Sequence, residues 1–254
     1  METLSDQGQR AAIDQIQHMP PSGRKRLLQR IGSYYGISLL IAMAALFFFA
    51  WLAEEVLEKE FAAINQNILL WVHSFASPGL TSVALTFTWI GSVVGVLLSA
   101  VLFGLVLARG RKYIDMITLG ILLAGGTLLV FFLKMAFHQI RPQVFTPLVV
   151  ESNFSFPSGH SLISFCFWGF VAVWLLHQGA TEVWRWFVAI PLLLIPAMVA
   201  LSRLYLGVHW PTDVLAGMLI AAFWIAICFL GQRWFISRRE RLTAASAGRS
   251  ARAT

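Results

Sequence analysis

The chain has 254 residues, is 58% hydrophobic and only 12% charged, and has a mean hydropathy of +0.73. A soluble domain carries about 25% charged residues, so the composition excludes a soluble globular protein and points to an integral membrane one. The net charge of +7 would by its sum suit nucleic acid, but here its placement matters more, and the two cysteines, Cys166 and Cys228, are too few for a disulfide framework or a thiolate metal site.

Residues 1–30 are polar, with Arg24-Lys25-Arg26 and Arg30 ahead of the first apolar run, and read as a short cytoplasmic arm. The run 31–53 is too long for the apolar region of a signal peptide and ends in acidic residues, so it reads as the first span. The acidic patch at 54–60 is a weak metal candidate and is read as a solvated loop. Between 61 and 76, Ile64, Ile68, Trp71, Val72 and Phe75 recur at helical spacing among polar residues, the pattern of an interfacial amphipathic helix. Ser77-Pro78-Gly79 is a turn. The second span covers 80–108, with Gly91, Gly95 and Gly104 placed to let helices approach closely. Arg109-Gly110-Arg111-Lys112 forms a tight basic loop before the third span, 113–137. Residues 138–156 make the longest internal polar loop. The fourth span covers 158–177 and the fifth 186–206, where Pro191 and Pro196 are expected to kink the helix. Residues 207–210 are a tight connection, and Pro211 suits the first turn of a sixth span running to about 234. The basic, Ala- and Ser-rich remainder is expected to be disordered.

The predicted fold is all-α, an integral membrane bundle of six transmembrane helices with an interfacial helix between the first and second spans. Its parts are an arm at 1–30, a six-span domain at 31–234 and a disordered tail at 235–254. Fifteen of the nineteen Lys and Arg fall in the arm, the loops at 109–112 and 178–185, and the stretch from Arg233 onward, which assigns both termini to the cytoplasm. The other four are Lys59, Lys134, Arg141 and Arg203, all at outer ends of spans. A basic residue at membrane depth is costly and marks a functional site by default.

Phe156-Pro157-Ser158-Gly159-His160-Ser161 opens the fourth span. Ser158 is an N-cap signal, and the free N–H groups of the first turn suit an anion. His160 sets a titratable proton donor beside them, although a helix cap with an incidental histidine has the same sequence. Lys134 precedes Arg141-Pro142 by seven residues. Helix continuing to 140 would stack the two cations on one face, while snorkelling toward the interface explains Lys134 equally well. Ser202-Arg203 closes the fifth span, with His209 and Asp213 beyond it. Asp213 can hold one nitrogen of His209 and leave the other free, or can simply stabilise a helix N-terminus. All three stretches fall at one membrane face. Three cations and a helix N-terminus call for a phosphate-like anion, and two histidines with an aspartate call for a nucleophile and an acid.

Together these stretches match Lys-x6-Arg-Pro, Pro-Ser-Gly-His and Ser-Arg-x5-His-x3-Asp, and the chain resembles the type 2 phosphatidic acid phosphatase superfamily in every motif position. The resemblance covers roughly 31–234 and implies a membrane lipid phosphatase. It implies His209 as the nucleophile that forms a phosphohistidine, Asp213 as its orienting partner and His160 as the acid. It also implies Lys134, Arg141, Ser158, Gly159 and Arg203 as the phosphate ligands. No metal and no other cofactor is implied, and no nucleic acid. The expected partners are the bilayer and a lipid phosphate, with undecaprenyl pyrophosphate first and phosphatidylglycerophosphate and phosphatidate after it. The expected setting is the plasma (inner) membrane, with the site on the non-cytoplasmic side. A lipid A phosphatase or phosphotransferase, a sugar-phosphate phosphatase, and a silent lipid-phosphate binder or transporter are the alternatives.

Overall fold

The computed structural model describes residues 21–178 and 183–250. Among them there is no strand, and eight helices follow in order: α1 (Pro21–Glu58), α2 (Ala62–His73), α3 (Pro78–Ile90), α4 (Val93–Arg109), α5 (Tyr113–Phe137), α6 (Gly159–His177), α7 (Trp184–Tyr205) and α8 (Pro211–Ser250). The chain divides into two compact units, Met1–Leu40 with Phe229–Thr254, and Ile41–Cys228. The described part of the first holds the start of α1 and the end of α8. Every residue discussed below as part of a site belongs to the second.

Five segments are long and apolar enough to cross a membrane: Tyr35–Glu58, Tyr113–Phe137, Gly159–Leu176, Trp184–Tyr205 and Pro211–Thr243. The remaining expected span, 80–108, is two helices broken at Gly91 and Ser92. Ser92 is extended (φ −68°, ψ 162°), and its Oγ accepts the N–H of Gly95 at 3.1 Å, so the serine caps α4 instead of prolonging α3. A Cβ on Gly91 would run into Val199 of α7, so the break lies where backbone and neighbour are closest. Gly104 meets nothing within 4 Å and does not serve close packing. The expected amphipathic helix is α2, bent by 119° from α3. Its buried Asn65 donates to Thr212 Oγ1 (3.1 Å) and accepts from Thr212 N (3.4 Å), which ties α2 to the start of α8.

Within the second unit α6 packs most extensively on α7; α5 packs on α6, and α3 on α7. Leu162, Cys166, Phe167 and Phe170 of α6 are buried there. Both Pro191 and Pro196 lie inside α7, which continues to Tyr205, as apolar helices permit when neighbours satisfy the freed carbonyls.

The C-terminal end departs from expectation, the N-terminal one less so. Helix α1 begins at Pro21, so residues 21–30 are continuous with the first span, and the rest of the arm lies outside the described residues. Helix α8 runs to Ser250 where disorder was expected from 235, because Ala and Arg are strong helix formers. Residues 251–254 lie outside the described range, as do 179–182 of the loop between α6 and α7.

Gly207 joins α7 to α8 with φ of 74°, and a Cβ there would lie 2.5 Å from the Phe145 ring. Gly207→Ala should cost about 1–2 kcal/mol from the left-handed backbone alone, with the clash added. The unfolding temperature in detergent should fall; an unchanged value contradicts this account of the turn.

Candidate active site

Helix α5 stops at Phe137 because His138 adopts a left-handed conformation (φ 49°, ψ 29°), its N–H donating to Lys134 O at 3.1 Å. The continuation to 140 that would have stacked Lys134 and Arg141 does not form. The two cations meet through the following loop instead. Lys134 Nζ donates to the Phe154 carbonyl and to Asn153 Oδ1 (3.4 Å), and Arg141 Nε donates to Asn153 O (2.8 Å).

Ser158 ends that loop as the N-cap of α6, with its Oγ accepting the N–H of Ser161 at 3.4 Å. Helix geometry leaves the N–H groups of Gly159 and His160 without intrahelical acceptors. The N–H of Ser158 donates to Asp213 O at 2.9 Å, which joins the start of α6 to the first turn of α8.

Asp213 is completely buried. Its Oδ2 accepts from Trp210 N (2.8 Å) and from the Ser155 hydroxyl, and lies 3.3 Å from His209 Nδ1. Ser155 Oγ is also 3.3 Å from Nδ1. On the other edge of the ring, Arg141 Nη1 is 3.3 Å from Nε2 and also donates to Val208 O at 2.6 Å. The carboxylate can only accept and the guanidinium can only donate. Both neighbours therefore favour the same tautomer, with the proton on Nδ1 and the lone pair on Nε2. Burial first, then the charges of Arg141, Arg203 and Lys134, hold the His209 ring well below the usual histidine range. A lowered value keeps the ring neutral at pH 7, with that lone pair available.

Arg203, in the last turn of α7, is 1% exposed, a depth at which a guanidinium needs partners. Its Nη2 pairs with Glu151 Oε1, and its Nη1 donates to Thr88 Oγ1 of α3 (3.2 Å), which in turn bonds Ser202 Oγ (2.8 Å). The other Glu151 oxygen lies 3.6 Å from Arg141 Nη2. Burial opposes charge on Glu151, but Arg203 and Arg141 outweigh it and hold the carboxyl below the usual carboxylate range. The His160 side chain makes no hydrogen bond among the described residues, and the charges of Arg203, Glu151, Arg141 and Lys134 all reach it.

The structure thus brings Lys134, Arg141, Ser158, Gly159, His160, Arg203, His209 and Asp213 into one cluster. Sequence reasoning gave no role to Ser155, one small residue in a polar loop, or to Glu151. An acid in the loop that carries Arg141 was the available signal for Glu151. His138 stands edge-on to Phe154 with ring centroids 4.6 Å apart, and His73 stacks on Phe145 at 3.8 Å, outside this cluster. Among the described residues no group of three His, Cys, Asp or Glu is arranged to hold a metal ion.

Glu151 engages the two guanidiniums as an anionic ligand would. Glu151→Gln should therefore tighten inhibition by inorganic phosphate by on the order of tenfold, the scale of a charged hydrogen bond. Unchanged or weaker inhibition contradicts this competition.

The family model described as the PAP2 superfamily matches residues 115–237. Phosphatidylglycerophosphatase B of Bacillus subtilis (strain 168) is 34% identical over 166 residues, spanning 65% of this chain and 76% of the relative. An undecaprenyl-diphosphatase of Sulfolobus acidocaldarius is 37% identical over 98 residues, 37% of this chain and 43% of that protein. The crystal structure of a transmembrane PAP2 type phosphatidylglycerolphosphate phosphatase from Bacillus subtilis superposes with a TM-score of 0.71 at 28% identity, covering 76% of this chain and 96% of the other. LpxE of Aquifex aeolicus shares the fold, with a TM-score of 0.53 at 24% identity over 65% of this chain and 94% of its own.

Proposed function

The chain belongs to the PAP2 superfamily, and on that premise we propose that it is a membrane phosphatase acting on lipid phosphates and pyrophosphates. Undecaprenyl pyrophosphate, phosphatidylglycerophosphate and phosphatidate are its candidate substrates, and relatives named for the first two support that range. The observation that carries the reading is His209, held at Nδ1 by Asp213 and facing Arg141 with Nε2.

In this mechanism His209 Nε2 attacks phosphorus in line with the lipid oxygen. The N–P bond forms as the P–O bond to the lipid breaks, and His160 gives its proton to the departing oxygen. Asp213 stabilises the positive charge that grows on the His209 ring, with Ser155 and the Trp210 N–H fixing the carboxylate. A water then gives a proton to His160 and attacks phosphorus, releasing phosphate and restoring His209. Arg141, Arg203 and Lys134, with the Ser158 cap and the free N–H of Gly159, hold the phosphoryl oxygens and stabilise charge in the transition state. Glu151 gives up its guanidinium contacts when the phosphate enters.

The chemistry needs no metal. The site lies on the non-cytoplasmic side of the plasma (inner) membrane with both termini cytoplasmic, a placement supported by the concentration of Lys and Arg in the termini and in the loops at 109–112 and 178–185. The purified protein should release phosphate from lipid phosphates in EDTA. His209→Ala should lower the rate by about 10³-fold or more, as loss of a nucleophile does. Inhibition by EDTA, or release that persists in the variant, overturns the mechanism.

A further inference from the structure

Helix α8 is 40 residues long, twice the roughly 20 that cross the hydrocarbon core of a bilayer. A helix entering the bilayer at Pro211 therefore reaches the other interface near Arg233, and the chain beyond it is still helical. Helical order gives the basic residues of this stretch a side. At about 100° per residue, Trp234, Arg238 and Arg241 fall in one stripe, flanked by Phe235, Arg239 and Leu242. All six side chains are exposed. Ile236, Ser237 and Thr243 fall on the other side of the helix and are half-buried. Glu240, the only acid in the sequence from Arg233 onward, also falls on that other side and does not neutralise the stripe. The Arg238 guanidinium stands over the Trp234 ring, 5.2 Å from its centroid, a cation–π contact that holds the arginine beside the indole. The start of α1, in the same compact unit, carries Arg24, Lys25, Arg26 and Arg30 in its sequence.

We propose that this face of α8 is a binding site for an anionic phospholipid of the leaflet at its end, separate from the candidate active site and independent of the phosphatase reading. Indole rings at a membrane interface sit at headgroup level, where Trp234 falls. Arg238 lies one turn beyond it and Arg241 two, the depth of the lipid phosphates, and guanidinium groups bind phosphate oxygens in pairs. Phe235 adds apolar contact beside the indole. Clusters of Lys and Arg next to a spanning helix attract anionic lipid in this way. An aromatic ring among the arginines, at the level of the headgroups, favours a lipid over a soluble acidic partner, which would meet the arginines without burying the ring.

The test titrates the full-length chain in detergent with phosphatidylserine or phosphatidylcholine and counts bound lipids by native mass spectrometry. Phosphatidylserine is anionic and is not a product of the proposed reaction. The wild type should bind it more tightly than phosphatidylcholine. Arg238→Gln together with Arg241→Gln should lower the phosphatidylserine affinity by about tenfold or more, the scale of two basic residues at an anionic surface. Phosphatidylcholine, which has no net charge, should keep its affinity within about twofold. Arg238→Lys together with Arg241→Lys should recover most of the loss, because the attraction is chiefly one of charge. Equal wild-type affinity for the two lipids, an unchanged phosphatidylserine affinity in the glutamine variant, or a lysine variant as weak as the glutamine one overturns the site.

Discussion

The cluster depends on one buried carboxylate. Asp213 has no access to water, a costly position for a carboxylate, and only one of its oxygens finds partners, Oδ1 having none among the described residues. Its Oδ2 gathers the Trp210 N–H, the Ser155 hydroxyl and His209 Nδ1, while its backbone carbonyl takes the N–H of Ser158. Those contacts join the start of α8, the loop before α6 and the cap of α6 in one small volume. The His209 ring then has its outer nitrogen where Arg141 meets it. A change at Asp213 would thus loosen three chain segments as well as remove an orienting group, so its loss is not a clean probe of chemistry.

Around this centre lie charges that a mostly apolar bundle accepts only with polar partners. Arg203 is almost wholly enclosed and is held by Glu151 and Thr88. Arg141 and Lys134 are held chiefly by carbonyl and amide oxygens of residues 153 and 154. The free protein thus satisfies the cations proposed to bind phosphate with weaker internal acceptors. A phosphoryl dianion offers more charge than either Glu151 or a carbonyl. Ligand entry becomes an exchange of partners, which avoids the cost of leaving buried cations bare.

Local signals made much of this legible in the sequence. Ser158 reads as an N-cap and is one; Gly207 and Pro211 mark the end of one helix and the start of the next, and the helices stop and start beside them. The spans at 113–137 and 158–177 lie within a residue of α5 and α6, because long apolar runs bounded by polar loops leave little freedom. Less legible was whatever depends on contacts between distant segments. The close approach of Val199, far along the chain, to Gly91 at the break is one such contact. The seven-residue spacing of Lys134 and Arg141 suggested a helical face, yet His138 ends the helix and the loop carbonyls of 153 and 154 bring the cations together. Ser155 and Glu151 carry no motif signature, and only the fold shows whom they touch.

The central claim is that His209 carries the phosphoryl group. The direct measurement is rapid acid-free quenching of the enzyme during turnover of a ³²P-labelled lipid phosphate, followed by peptide mapping. The account predicts an acid-labile, alkali-stable phosphoryl group on the peptide containing His209, formed and lost at the rate of turnover. Label on another residue, or none at any time while phosphate is being released, would contradict it.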